Sequence, residues 1–157
     1  MRNLIALATI CITFLFVSCD TDDSNSDNNG NSSADQVTMI AQQGTWRITN
    51  YNDSGDDETS DFAGYSFSFN EDGSLVATNG TNTVTGTWSV DDSNDSSDDD
   101  SGTDDDDFNI FFPVPEDNDF EDLNDDWDIV SVTNNRIELF DVSGGDGSTD
   151  RLTFEKE

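Results

Sequence analysis

Large apolar residues recur at every second position through most of the chain after Thr45. The run Tyr65-Ser66-Phe67-Ser68-Phe69 shows the pattern clearly, and Phe108, Ile110 and Phe112 repeat it. Successive side chains of a β-strand point to opposite faces, so a period of two is typical of strands with one buried face. Only 32% of the residues are hydrophobic, which suits a core built from alternate positions. The sequence therefore predicts an all-β domain.

Turn sequences separate the apolar runs. Asn70-Glu71-Asp72-Gly73, Asn79-Gly80 and Asn134-Asn135 have the composition of tight turns. The runs between them are read as eight strands, which contain Trp46, Phe67, Leu75, Trp88, Phe108, Trp127, Ile137 and Leu152. An antiparallel meander of eight strands can close into a barrel, which removes its exposed edges. We therefore predict an eight-stranded antiparallel barrel, with a two-sheet β-sandwich as the alternative.

The chain is strongly acidic. It has 36 Asp and Glu residues against 5 Lys and Arg, a formal net charge of −31 at pH 7. Asp supplies ten of the seventeen residues in the segment 91–107, which we interpret as a long solvated loop. Such a surface repels phosphate, so we expect no nucleic-acid partner. It also repels anionic lipid, so attachment to a membrane would need a covalent anchor.

The N-terminus has the composition of an export signal. Arg2 precedes an apolar run from Leu4 to Val17. A helix that spans a bilayer needs roughly 20 apolar residues, so this run is too short to cross a membrane and fits a secretory signal peptide instead. Residues 1–18 are therefore predicted to be removed on export.

The end of that segment, Phe16-Val17-Ser18-Cys19, resembles a bacterial lipobox. The resemblance implies that Cys19 becomes the new N-terminus, with a diacylglycerol on its sulfur and a further acyl chain, typically palmitate, on its amine. Two or three acyl chains give durable anchoring where one does not. The following Asp20-Thr21-Asp22-Asp23 resembles the surface-export signal of Bacteroidota lipoproteins. Both resemblances imply a lipid anchor in the outer membrane and display at the cell surface.

Residues 19–34 contain no large apolar residue, so we interpret them as a flexible acidic tether. The β domain is predicted to span residues 35–157. A short helix is expected at its start, from Asp35 to Gln43, with Ser33 as a cap, Val37, Ile40 and Ala41 on one face, and Gly44 after its end.

Two glycine–tryptophan motifs begin strands, Gly44-Thr45-Trp46 and Gly86-Thr87-Trp88. The first motif, the eight strands and Arg151 on the last strand resemble the lipocalin-like pattern, and the run from Gly44 to Lys156 resembles the small lipocalin-like lipoproteins of Bacteroidota. The resemblance implies that Trp46 closes one end of the barrel and that Arg151 packs across its ring. It also implies, by analogy of fold alone, a small apolar ligand in the barrel.

Residues for common catalytic chemistry are scarce in this sequence. It has no His, its two Cys residues are Cys11 and Cys19, and it lacks nucleophile-elbow and phosphate-loop motifs. Carboxylates for glycoside cleavage are abundant, but no pair stands out by its context. Ca²⁺ suits the composition, yet segment 91–107 lacks the residue order of an EF-hand loop, so we expect weak condensation of cations. We therefore expect a protein that is not an enzyme and holds no cofactor or dedicated metal.

Two functions remain open from the sequence. The first is a membrane-anchored, surface-exposed lipoprotein, monomeric, whose barrel binds a small hydrophobic ligand or serves an envelope role. The second is an interaction or adhesion module whose acidic loops bind a cationic or calcium-bridged partner. An open apolar cavity would favour the first, and a filled barrel with clustered carboxylates would favour the second.

Overall fold

The structure, a computed structural model, describes residues 33–92, 106–142 and 147–157. These residues form one α-helix, one 3₁₀ turn (Thr59–Phe62) and nine β-strands. The elements are α1 (Ser33–Ala41), β1 (Trp46–Asp53), β2 (Asp56–Asp57), β3 (Ser66–Phe69), β4 (Ser74–Thr78), β5 (Thr83–Asp91), β6 (Asp107–Phe111), β7 (Asp125–Thr133), β8 (Arg136–Val142) and β9 (Thr149–Lys156).

Eight of the strands form a closed antiparallel barrel. Their order is β1-β3-β4-β5-β6-β7-β8-β9, and β9 pairs back with β1. Strand β2 adds a two-residue pairing to the far end of β1, at Asn52 and Asp53. The pairing between β1 and β3 is short and consists of Trp46 opposite Phe67. The predicted eight-stranded barrel is confirmed, and the sandwich alternative is not adopted.

The barrel interior is filled by the chain's own side chains. Residues at alternate strand positions point inward, and the largest fully buried ones are Trp46, Phe67, Leu75, Phe108, Trp127, Ile137, Leu139, Leu152 and Phe154. Phe62 from the 3₁₀ turn and Phe112 and Leu123 from the segment between β6 and β7 are also fully buried. The ring of Phe69 lies 5.1 Å from that of Trp88 and 5.4 Å from those of Phe108 and Phe154, in edge-on contacts that aromatic rings favour. The interior is therefore a packed aromatic core.

Helix α1 packs against the barrel through Ala34, Val37 and Ala41, with Ile40 partly buried beside them. The predicted apolar face of the helix is confirmed, and it also includes Ala34. The helix begins at Ser33, two residues before the predicted start at Asp35. Ser33 is the first helical residue, and its hydroxyl donates a hydrogen bond to Asp106 at the start of β6. The helix ends at Ala41 rather than Gln43.

The predicted acidic loop 91–107 is wrong at its two end residues, which belong to strands. Asp91 ends β5, Asp107 begins β6, and the two residues pair across the strands. Residues 93–105 lie outside the described part of the chain, as do the predicted signal peptide, Cys19 and the tether up to residue 32. Within the ranges that the structure covers, no helix has the length and apolar character that a membrane crossing requires.

Candidate functional site

Polar side chains form regular rows on the outer face of strands β5, β6 and β7. The inward positions of these strands hold Trp88, Phe108 and Trp127, so the residues between them point outward. Pairing across the strands aligns the outward residues in two rows. One row is Asp91, Asp107 and Asp128, and the other is Ser89, Asn109 and Asp126.

The row of three aspartates places like charges on neighbouring strands. Directly opposed residues have Cβ atoms roughly 5 Å apart, and like charges at that distance destabilise a sheet. The pKa of Asp107 is raised, first by burial and then by the negative charges of Asp128, Asp126 and Asp91. Asn109 gives partial relief, since its Nδ2 donates a hydrogen bond to Asp91 Oδ2 at 2.9 Å.

The basic residues of the described chain all lie on β1, β8 and β9, and β8 pairs directly with β7. They are Arg47, Arg136, Arg151 and Lys156. Arg136 bonds Glu138 at 2.7 Å and Glu155 at 2.8 Å, and Arg47 reaches Glu155 at 3.4 Å. These ion pairs are solvent-exposed and therefore contribute little to stability. The acidic rows on β5–β7 therefore have no Lys or Arg from the described residues on their own strands.

A groove lies on this face and includes the row of Ser89, Asn109 and Asp126 in its lining. It has a volume of about 580 Å³ and is lined by Thr87, Trp88, Ser89, Asn109, Ile110, Phe111, Asn124, Asp125 and Asp126. The Phe111 side chain is 55% exposed there, although its neighbours Ile110 and Phe112 are buried in the core. The groove thus combines one solvent-exposed aromatic ring with hydroxyl, amide and carboxylate groups.

The groove's walls are held by specific contacts. Phe112 N donates to Asn124 Oδ1 at 2.5 Å, and Asn124 Nδ2 donates back to Phe112 O at 3.0 Å. This pair of bonds ties the end of β6 to the start of β7. Asp126 N donates to Asp125 Oδ1 at 2.8 Å, while burial is the main cause of a raised pKa at Asp125. The groove is therefore a preorganised feature of the sheet.

A second group of carboxylates surrounds Tyr51. The Tyr51 hydroxyl donates to Asp122 O at 2.7 Å, and its pKa is raised by burial and by Asp53 and Asp122. Burial and neighbouring carboxylates also raise the pKa of Glu58 and of Asp122. The hydrogen bond from Tyr51 to Asp122 joins β1 to the segment before β7, so the buried Tyr51 has a structural role.

Metal coordination needs several ligand atoms around one point. Among the residues described, no group of three or more His, Cys, Asp or Glu side chains is arranged to hold a metal ion. The carboxylates of the β5–β7 face are spread along a sheet rather than gathered at a point, because each occupies its own strand position.

Of the motif residues named from the sequence, Gly44 has a positive φ of 103° and Trp46 is the first residue of β1. Trp46 is fully buried at the barrel end, where its Nε1 donates to Ala41 O at 2.8 Å. The expected packing of Arg151 across Trp46 is wrong: Lys156 Nζ lies 5.6 Å from the Trp46 ring centre, and Arg151 lies 5.2 Å from that of Phe140. The register explains this, since Trp46 pairs with Lys156 and Arg151 pairs with Asn52.

Sequence reasoning missed the candidate face itself. Asp91 and Asp107 were assigned to a loop, and Phe111 was not singled out. A signal for Phe111 was present, because the buried alternation of Phe108, Ile110 and Phe112 leaves position 111 on the outside. The cross-strand alignment of Asp91 with Asp107 had no local signal.

Fold and face together define a closed eight-stranded antiparallel barrel with one acidic, base-free outer face among its described strands. No protein-family model matches the chain, and no curated protein matches it. A solved structure similar to it is a DUF4847 family protein from Bacteroides vulgatus ATCC 8482, with 16% sequence identity and a TM-score of 0.48. The match covers 77% of this chain and 97% of that one.

Proposed function

We propose that this chain is an exported, non-enzymatic lipoprotein, anchored in the outer membrane through Cys19, whose barrel displays an acidic surface to cationic partners at the cell surface. The anchor is supported by the apolar run that ends at Ser18-Cys19 and by the acidic residues that follow it. The resemblance to lipocalin-like lipoproteins of Bacteroidota agrees with this address. The anchor also explains how so acidic a chain stays at a membrane that repels it.

The row Asp91, Asp107 and Asp128 carries the binding part of the proposal. Opposed like charges reduce the stability of the sheet, and the barrel closes through other contacts, so the fold does not require them. A cationic partner would relieve this repulsion on binding and would be drawn to the face by the net charge of −31. The packed aromatic core favours this outer-face function over an apolar ligand inside the barrel.

The anchor is tested by replacing its cysteine. In the bacterium that makes the protein, Cys19→Ser should abolish labelling with radioactive palmitate and move the protein out of the membrane fraction. Cys11→Ser is the matched control, because that cysteine lies within the predicted signal peptide, and it should leave both measurements unchanged. Unchanged membrane partitioning of the Cys19 variant would refute the anchor.

The acidic surface is tested with a fluorescein-labelled hexapeptide of alternating glycine and arginine, titrated with the full-length protein in detergent. A peptide with citrulline in place of arginine keeps the shape and loses the charge, so it should not bind. The double variant Asp107→Asn, Asp128→Asn should weaken binding of the arginine peptide by about tenfold, since each exposed charge contributes up to about 1 kcal/mol. Equal binding of both peptides would contradict the proposal.

A further inference from the structure

The exposed ring of Phe111 is the feature that the acidic surface alone does not explain. Phe111 is the last residue of β6 and occupies an outward position, where polar residues are usual, and its neighbours across and along the sheet are Thr87 and Asn109. Leaving a phenyl ring 55% exposed forgoes the free energy of burial. Single exposed apolar residues are common, but this one forms part of the wall of a groove that also contains carboxylates.

The sheet register places the ring and the carboxylates within reach of one ligand. Asn109 is two positions from Phe111 on the same face, and Asp126 is opposite Asn109. Phe111 and Asp126 are therefore diagonal neighbours, whose Cβ atoms lie roughly 7 Å apart in an antiparallel sheet. Asp125 is the next residue in the groove wall, and its raised pKa records the burial of its carboxyl group.

A ring beside carboxylates selects a particular chemistry. A guanidinium or ammonium group is attracted to the face of an aromatic ring, and its aliphatic stem covers apolar surface while its charge reaches a carboxylate. A metal ion would gain nothing from the ring's apolar surface. No metal-holding cluster occurs among the residues that the structure covers, which agrees with an organic cation.

We propose that the groove around Phe111 binds a basic side chain of a polypeptide partner, with its cation stacked on Phe111 and paired with Asp126. This inference rests on the proposed function, since it names the contact site for the cationic partner. Charge complementarity identifies the occupant: every described Lys and Arg of this chain is on β1, β8 or β9, so the cation comes from another molecule. The row of Asp91, Asp107 and Asp128 lies next to the groove and extends the same surface for further basic residues.

The test uses the same glycine–arginine hexapeptide with the full-length protein in detergent, measured by fluorescence anisotropy at physiological salt. Phe111→Ala should weaken binding about fourfold, the effect of removing an exposed cation–π contact. Phe111→Leu keeps an apolar side chain and lacks the aromatic face, so it should weaken binding nearly as much. Asp126→Asn should weaken binding about threefold.

Two control variants distinguish binding in the groove from general electrostatic attraction to the acidic protein. Val130→Ala removes an apolar side chain that is 57% exposed on β7 outside the groove, and it should leave the affinity unchanged. Asp61→Asn removes an exposed charge from the 3₁₀ turn outside the groove, and it should have less effect than Asp126→Asn. If the Phe111→Ala and Phe111→Leu variants bind the peptide as tightly as the unaltered protein, the groove is not the binding site, and the acidic-surface function still stands. No binding of the peptide by the unaltered protein would overturn both.

Discussion

Lys156 covers the indole ring of Trp46, with its Nζ 5.6 Å from the ring centre. The two residues are paired across β1 and β9, the strands whose pairing closes the barrel. Trp46 is also tied to helix α1 through its bond to Ala41 O. One cation–π contact thus lies where the first strand, the last strand and the helix meet.

Removing the charge of Lys156 should therefore destabilise the barrel. We expect Lys156→Met, which keeps an unbranched stem, to lower the free energy of unfolding by about 0.5–1 kcal/mol, measured by urea denaturation. Arg151→Met should cost less, since Arg151 is exposed and contacts the partly exposed ring of Phe140. A larger loss for Arg151→Met than for Lys156→Met would contradict the structure and favour the pairing expected from the lipocalin resemblance.

The position of Lys156 beside Trp46 also requires a glycine at position 44. The φ of Gly44, +103°, is unfavourable for residues with a Cβ, and an added Cβ would lie 3.0 Å from Lys156 Cε. We expect Gly44→Ala to reduce stability by about 2 kcal/mol. Gly80→Ala is a matched control, because its φ of +81° is also positive but nothing lies within 4 Å of the added Cβ, so it should cost less. In a Lys156→Ala background the two glycine variants should have similar effects; a persistent difference would show that Lys156 is not the cause.

Gly86 is needed for a different reason. A Cβ there would lie 2.2 Å from the backbone oxygen of Phe111 and 2.8 Å from Phe112 Cδ1, so β6 passes too close for any side chain. We expect Gly86→Ala to lower stability by about 3 kcal/mol, as overpacking against backbone does. Ser89→Ala, an exposed change on the same strand, should be nearly neutral in thermal melting. A neutral Gly86→Ala variant would show that β5 and β6 are further apart than described.

Asp107 should make the protein more stable at mildly acidic pH. Its pKa in the folded state is raised by burial and by Asp128, Asp126 and Asp91, so the folded state binds its proton more tightly than the unfolded chain. Stability from this group therefore rises as the pH falls from neutral through the raised pKa, and the gain is complete below the ordinary value of 3.8.

Asp107→Asn removes that charge at every pH. We expect it to raise the free energy of unfolding at pH 7 by about 0.5 kcal/mol for each like-charged neighbour relieved, and to flatten the dependence of the melting temperature on pH. Asp72→Asn should behave in the opposite way, because hydrogen bonds from Ser74 lower the pKa of Asp72. A lower melting temperature for Asp107→Asn at pH 7 would show that the row is not repulsive.

Lys156 and Arg151 show which part of the glycine–tryptophan motif's prediction the structure changes. The motif correctly indicated a buried tryptophan after a glycine and a basic residue on the last strand. It could not say which basic residue, because the partner depends on the register of β1 against β9, which includes a bulge between Ile48 and Asn50. A different register of β9 against β1 would place another residue of β9 opposite Trp46.

The sequence by itself determined the eight barrel strands and their buried faces, because alternation of apolar residues and tight turns are local properties that the backbone converts directly into a sheet. It favoured a barrel over a sandwich, and the pairing of β1 with β9 decided between them. The prediction of export and of an anchor at Cys19 also comes from the sequence, because both rest on linear motifs. Only the tertiary structure decided that Asp91, Asp107 and Asp128 form one row and that Phe111 opens onto a groove beside Asp126. These neighbours are far apart in the chain, and the pairing of strands, set by the packing of the whole core, brings them together.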